Sequence, residues 1–187
     1  MSGAAHIDPS NKKIALLIAV LALVLAFSET LGKGSQTAAL SQNIEAANLW
    51  AFFQAKTVRL TTVRTAAETM ETALPQITSK EAREAMEKRI ADWKRTAARY
   101  DSEPETNEGR KELAVRAKEM EAKRDRSLAA YHHFEVSSAA VQIAIVLASA
   151  AIITGTAALT WIAIGLGVVG VAFSLIGFFW PMSIHLF

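Results

Sequence analysis

The chain has 187 residues with a formal net charge of +2; 51% of its residues are apolar and 20% are charged. Its charges are unevenly placed: 18 of 20 Lys and Arg and 16 of 18 Asp and Glu fall within residues 32–135, and residues 136–187 hold none. A water-soluble domain needs charged surface throughout, so the composition excludes an ordinary soluble enzyme and points to membrane segments.

The absence of cysteine excludes disulfides, thiolate nucleophiles and cysteine-ligated metals. The sequence pI near 9.0 reflects only a small excess of base. That balance lacks the one-signed patch that nucleic-acid binding needs, so no nucleic-acid partner is expected.

The first apolar run, residues 14–27 (IALLIAVLALVLAF), follows Lys12 and Lys13. Extended to Leu31 it reaches about 27 Å at ~1.5 Å per residue, enough to cross a bilayer if Glu29 sits near one interface. The rival reading is a secretory signal peptide with a small-residue site at Ala26-Phe27-Ser28. Ala15, Ala19, Ala22 and Ala26 form a small-residue stripe, and Glu29 continues it. Glu29 is therefore expected to point toward packed protein rather than lipid, paired with Lys33 one turn on or joined in a ring of carboxylates in an oligomer.

Residues 35–74 read as one long helix ended by Pro75, with a seam of Leu60, Val63, Ala67, Met70 and Leu74. Thr78-Ser79-Lys80-Glu81 carries a capping-box signature. It opens a helix with Met86, Ile90, Trp93, Ala97 and Tyr100 on one face, which Pro104 breaks. A third helix begins near Glu108 and is expected to run without a stop to Gly155. Glu84–Lys88, Glu112–Arg116 and Glu119–Lys123 are spaced as i,i+4 pairs, and Glu119 and Glu121 read as solvated surface. No strand signal occurs. The middle is expected to be an antiparallel helical hairpin or coiled coil outside the membrane.

Within that middle, NLWAFFQAKT (residues 48–57) is the most distinctive segment. Trp50 and Phe53 share a helix face while Phe52 is turned about 100° or more away, so the segment is expected to contact more than one neighbour. Trp50, Phe52, Phe53, Gln54 and Lys56 are the candidate interaction and packing residues.

The last apolar stretch divides into spans near 136–154 and 161–180, joined by a short connector at 155–160. Tyr131, Phe134, Trp161, Phe179 and Trp180 sit where interfacial anchors belong. Small residues recur at Ala144, Ala148, Ala151 and Gly155, and at Ala163, Gly167, Gly170, Ser174 and Gly177. Such stripes allow close helix packing, within the chain or between chains. Gln142 is a candidate interhelical hydrogen bonder. The expected organisation is thus a tail at 1–13, a transmembrane helix at 14–31, a charged extramembrane helical region at 32–135 and a transmembrane hairpin at 136–187. The fold class is an all-α membrane protein.

NLWAFFQAKT, preceded by Gln36-Thr37-Ala38-Ala39-Leu40 and followed by Arg64-Thr65-Ala66-Ala67-Glu68, resembles the bacterial family called domain of unknown function 4337. The layout of one apolar segment, a charged helical middle and an apolar C-terminal pair resembles it over almost the whole chain. The resemblance implies a small bacterial inner-membrane protein and brings no catalytic residues. Members of that family can carry basic residues between the last two spans; this chain has none there.

No phosphate loop, GxSxG, HExxH or EF-hand pattern occurs. His132 and His133 point about 100° apart on a helix, and His132 with Glu135 offers two metal ligands where a closed site needs more. The expectation is therefore a non-enzymatic homo-oligomer without cofactor or bound metal. It would act as a scaffold or interaction module, its partners being the lipid bilayer and further copies of itself. The alternative is an ion-conducting pore with Glu29 in its path. Lys12 and Lys13 favour a cytoplasmic N-terminus and a periplasmic middle, whereas the basic residues before the second span favour the reverse; the first helix is given precedence.

Overall fold

The computed structural model describes residues 9–184, so most of the expected N-terminal tail and the last three residues lie outside the described part. Four α-helices follow in order: α1 (Pro9–Ala73), α2 (Lys80–Asp101), α3 (Arg110–Thr154) and α4 (Ala157–Phe179), with a 3-10 turn at Leu74–Gln76. No strand occurs among the described residues. Parts of α1 and α3, together with α4, are long and apolar enough to cross a membrane.

Two boundaries differ from the sequence reading. The first apolar span and the helix expected at 35–74 are one element, with Gly32 and Gly34 inside it. A Cβ on Gly32 would stand 3.2 Å from the Phe134 Cβ, so this glycine serves close approach of α3 rather than a break in α1. Threonines along α1 remain compatible with a helix because Thr30, Thr37, Thr57 and Thr61 each donate to the carbonyl four residues back. At the other end, α4 starts at Ala157, and the connector shrinks to Gly155 and Thr156. Gly155 adopts φ 68°, the left-handed C-terminal position that glycine fills without strain, and its N–H closes on the Ala151 carbonyl at 2.9 Å.

The chain divides into two compact units. Among the described residues the first comprises 9–40 and 123–184. Its core is Leu21, Val141, Ala144, Ala148 and Ala163, with Leu17, Val24 and Leu166 packed against them. Glycines on α4 set how closely it packs on its neighbours. A Cβ on Gly167 would come within 2.7 Å of the Leu21 side chain, and one on Gly177 within 2.9 Å of His133. Gly170 receives Val141 in the same way.

The second unit, residues 41–122, holds the end of α1, all of α2 and the start of α3. Leu60, Ala67, Ile90 and Ala97 are buried along the two seams expected from the sequence. Glu71–Lys94 and Lys56–Tyr100 contacts set α2 antiparallel to α1. Ser79 caps α2, accepting from the Ala82 N–H at 3.4 Å.

The α2–α3 turn is held by polar contacts. Arg110 and Lys111 reach Asp101 at 2.6 and 2.8 Å. Ser102 donates to Glu112 at 2.6 Å, and the Glu103 N–H donates to its second carboxylate oxygen at 3.1 Å. A Cβ on Gly109 would collide with Glu112 and the Glu103 backbone. Glu112 is thus drawn into the turn instead of pairing with Arg116, which donates to the Asn107 carbonyl at 3.2 Å. The i,i+4 pairs that form on α2 and its end are Lys80–Glu84, Arg83–Glu87 and Arg99–Glu103, with the base first.

Candidate functional site

Three serines from three helices meet inside the first unit. Ser28 of α1, Ser137 of α3 and Ser174 of α4 approach one another at 3.1, 2.7 and 2.7 Å. Ser28 also donates to the Val24 carbonyl at 2.9 Å and Ser137 to the Gly170 carbonyl at 2.7 Å. Three hydroxyls carry three protons. With two given to carbonyls, Ser174 has one proton for two acceptors at equal distance. The partners of these hydroxyls are one another and backbone, whereas a nucleophilic serine needs an adjacent base. The cluster therefore reads as a polar tie between helices in an apolar surround.

His133 lies one turn before Ser137 on α3 and is fully buried. Its Nε2 lies 3.2 Å from the Pro181 carbonyl, and its ring stacks on Phe173 with centroids 6.0 Å apart. A carbonyl only accepts, so Nε2 carries the proton, and Nδ1 is buried without a hydrogen-bond partner. This ties the segment after α4 to α3.

On the surface beside the serines, α1 and α3 form a groove of about 380 Å³. Glu29, Lys33 and Gln36 line it from α1, and Tyr131, Glu135 and Gln142 from α3. Gln142 Nε2 donates to Glu29 Oε1 at 3.2 Å across the two helices. Tyr131 donates to Glu135 at 3.4 Å, and His132 Nδ1 lies 3.6 Å from the other Glu135 oxygen. Within the chain Glu29 thus takes Gln142 as its partner, where the sequence offered Lys33 or the carboxylates of further copies.

Within a single chain the alanine stripe of α1 does not pack against α3 or α4, which leaves of the two expected uses the one between chains. Ala15, Ala19, Ala22, Ala26 and Glu29 are all exposed on the chain by itself. The inward face carries Leu17, Leu21 and Val24, then Ser28 and Gly32. Toward α4 the small residue is Gly167, so α1 presents Leu21 to that notch and leaves its alanines outside. Ala144, Ala148 and Ala151 of α3 and Ala163, Gly167, Gly170 and Gly177 of α4 are buried within the chain.

In the second unit the aromatic segment touches two helices. Trp50 and Phe53 meet edge to face with centroids 5.4 Å apart and pack on Leu49, Leu113, Ala117 and Met120. Trp50 Nε1 donates to Glu121 at 2.9 Å, which corrects the reading of Glu121 as merely solvated. Phe52 faces the other way. The buried Lys56 ammonium lies 5.4 Å from its ring centre and 5.5 Å from that of Tyr100 on α2. Gln54 is exposed. Among the described residues, no group of three or more His, Asp or Glu could hold a metal ion.

These helices and the aromatic segment lie within a match to a known family profile. The profile described as Domain of unknown function (DUF4337) covers residues 10–180. The chain belongs to the DUF4337 family. No curated protein and no solved structure matches it. In this DUF4337 chain, sequence reasoning singled out Glu29, Gln142 and the aromatic segment; it named Ser28, Ser174 and His133 for other reasons, did not name Ser137, and did not bring these residues together. No spacing in the sequence links positions 28, 137 and 174; only packing brings them together.

Proposed function

We propose that this DUF4337 protein is a multi-pass protein of the bacterial inner membrane that assembles with further copies of itself through α1. On this reading it serves, without catalysis, as a scaffold or interaction module through its helical middle, paired there in coiled-coil fashion. The observation that carries the proposal is the placement of the four α1 alanines. The small faces of α3 and α4 are consumed inside the chain, whereas Ala15, Ala19, Ala22 and Ala26 line an exposed face of an apolar helix. In lipid, such a face gains most from close contact with another helix, because small side chains let backbones approach. Mass measurement in mild detergent tests it. A multimer is expected at micromolar protein, and Ala19→Leu with Ala22→Leu should shift it toward monomer. A strictly monomeric wild type overturns the proposal.

The proposed orientation places the N-terminus in the cytoplasm and the middle in the periplasm. Since the chain has no cysteine, Glu105→Cys near the α2–α3 turn gives a unique label site. An impermeant thiol reagent should label it in intact spheroplasts, and labelling only after lysis reverses the orientation.

A pore is the second reading, favoured by one observation: Glu29 is exposed and continues the alanine stripe. Contact along that stripe would bring Glu29 carboxylates of neighbouring copies together, as in a cation-selective ring. Cation current in reconstituted bilayers, with selectivity lost in Glu29→Gln, is its expected signature; no current from either form removes it.

A further inference from the structure

We propose that the groove between α1 and α3 binds the head group of a zwitterionic aminophospholipid. The inference rests on the membrane-spanning reading but not on self-association. The first argument is position. The groove runs along α1 from Ser28, where the apolar run ends, past Lys33 to Gln36, where charged sequence begins, and along α3 from Gln142 to Tyr131. If α1 crosses a bilayer, that border is the head-group region.

The second argument is charge. Glu29 and Glu135 bring two carboxylates and Lys33 one ammonium. Such a lining disfavours a purely anionic head group and complements one that carries both signs. The phosphate faces Lys33, and the amine, the outermost group of the lipid, faces Glu135 toward the end of the groove away from Val146, while Glu29 keeps anionic groups from the deeper end. A primary ammonium offers three N–H donors, and the side-chain oxygen of Ser138 adds an acceptor beside the Glu135 carboxylate. A quaternary choline has no N–H to donate, and a glycerol head group has no positive charge.

The third argument is the surface just below. One turn deeper than Gln142, on the same face of α3, Val146 is 66% exposed, an apolar surface on which an acyl chain can lie. The groove therefore places polar, two-signed chemistry directly above apolar surface, which is the order of a phospholipid and not of a soluble phosphate.

Native mass spectrometry of the full chain tests this, after delipidation and with equal mole fractions of phosphatidylethanolamine, phosphatidylcholine and phosphatidylglycerol. Ethanolamine lipid adducts should dominate by about tenfold, the scale of a charge-assisted hydrogen bond. Glu29→Gln with Glu135→Gln should abolish that preference, and Lys33→Gln should weaken retention of all three lipids. Glycerophosphoethanolamine, the head group without acyl chains, should not displace the lipid at equal concentration; displacement would identify a soluble phosphoamine as the ligand and overturn the lipid assignment. Equal retention of the three lipids, or a preference unchanged in the double variant, also overturns it. Helix content by circular dichroism checks folding of each variant, whose altered side chains are exposed. Separate flotation on liposomes tests the membrane reading: a protein that fails to float refutes that reading, whereas one that floats without lipid preference refutes only this inference.

Discussion

Gly170 sets how closely α4 approaches α3. A Cβ there would run into the Val141 side chain and stand 3.2 Å from the Ser137 carbonyl oxygen, and neither neighbour has room to retreat in a packed helix pair. Gly170→Ala is expected to destabilise the span unit by about 1–3 kcal/mol, read as a shift in the midpoint of denaturation in mixed detergent. Gly34, also helical, has open space where a methyl group would go, with nothing within 4 Å, so Gly34→Ala should be neutral or stabilise by up to ~1 kcal/mol. Together the two variants separate crowding from helix propensity. A different residue-scale effect operates at the α2–α3 turn. The Lys111 hydrogen bond, helped by that of Arg110, holds the Asp101 carboxyl below its ordinary value against the opposing effect of burial. The Ser102 hydroxyl does the same for Glu112. A carboxylate whose folded value is depressed stabilises the fold fully above its unfolded value and stops doing so as pH falls through the folded one. Stability of the helical middle should therefore hold above about pH 4–5 and decline below it. Asp101→Asn should flatten that acid limb in a pH series of thermal unfolding; an unaltered slope would show that the turn contacts do not contribute.

Between α1 and α3, Trp50 does two jobs that substitution can separate. Its ring packs with Phe53 over Leu113 and Ala117, and its indole N–H satisfies Glu121. Trp50→Phe keeps the ring contact and loses the hydrogen bond, at a cost of about 1–2 kcal/mol. Trp50→Ala loses both and should cost about 3 kcal/mol or more by urea denaturation. Equal effects of the two substitutions would mean that the aromatic packing contributes little. On the opposite side of α1, Lys56 bridges the Phe52 and Tyr100 rings, so the aromatic segment fastens α1 to both of its neighbours in this unit. The two orientations were legible because 100° per residue puts positions 50 and 53 together and position 52 apart. The identities of the partners were not, since Leu113, Glu121 and Tyr100 are distant in sequence. The connector after α3 shows the same limit. Gly155 marked a turn, but only backbone geometry at φ 68° shows that two residues suffice to reverse the chain. Gly155→Ala should cost about 1–2 kcal/mol from left-handed strain alone, since a Cβ there meets no neighbour.

For the molecule as a whole, the segregation of charge sets the principal expectation: the protein should remain in the membrane pellet after alkaline carbonate extraction, and release into the supernatant would contradict the spans. That segregation is a property of the sequence alone. Helix class, the three apolar spans, the seams of the middle helices and the run of α3 from charged sequence into its apolar end all follow from local composition and periodicity, because hydrogen bonding within a helix and the side-chain repeat are local. What faces what is decided by tertiary structure. In α1 two stripes with the same spacing compete, one of Ala15, Ala19, Ala22 and Ala26 and one of Leu17, Leu21, Val24 and Ser28. Periodicity cannot rank them. Gly167 of α4 ranks them, since it leaves a notch that a leucine fills and an alanine would leave empty. Once Leu21 turns inward, the same rotation carries Ser28 to Ser137 and Ser174, leaves the alanines outside and sets Glu29 against Gln142. Complementary volume across helices far apart in sequence fixes that rotation, and no local pattern carries it.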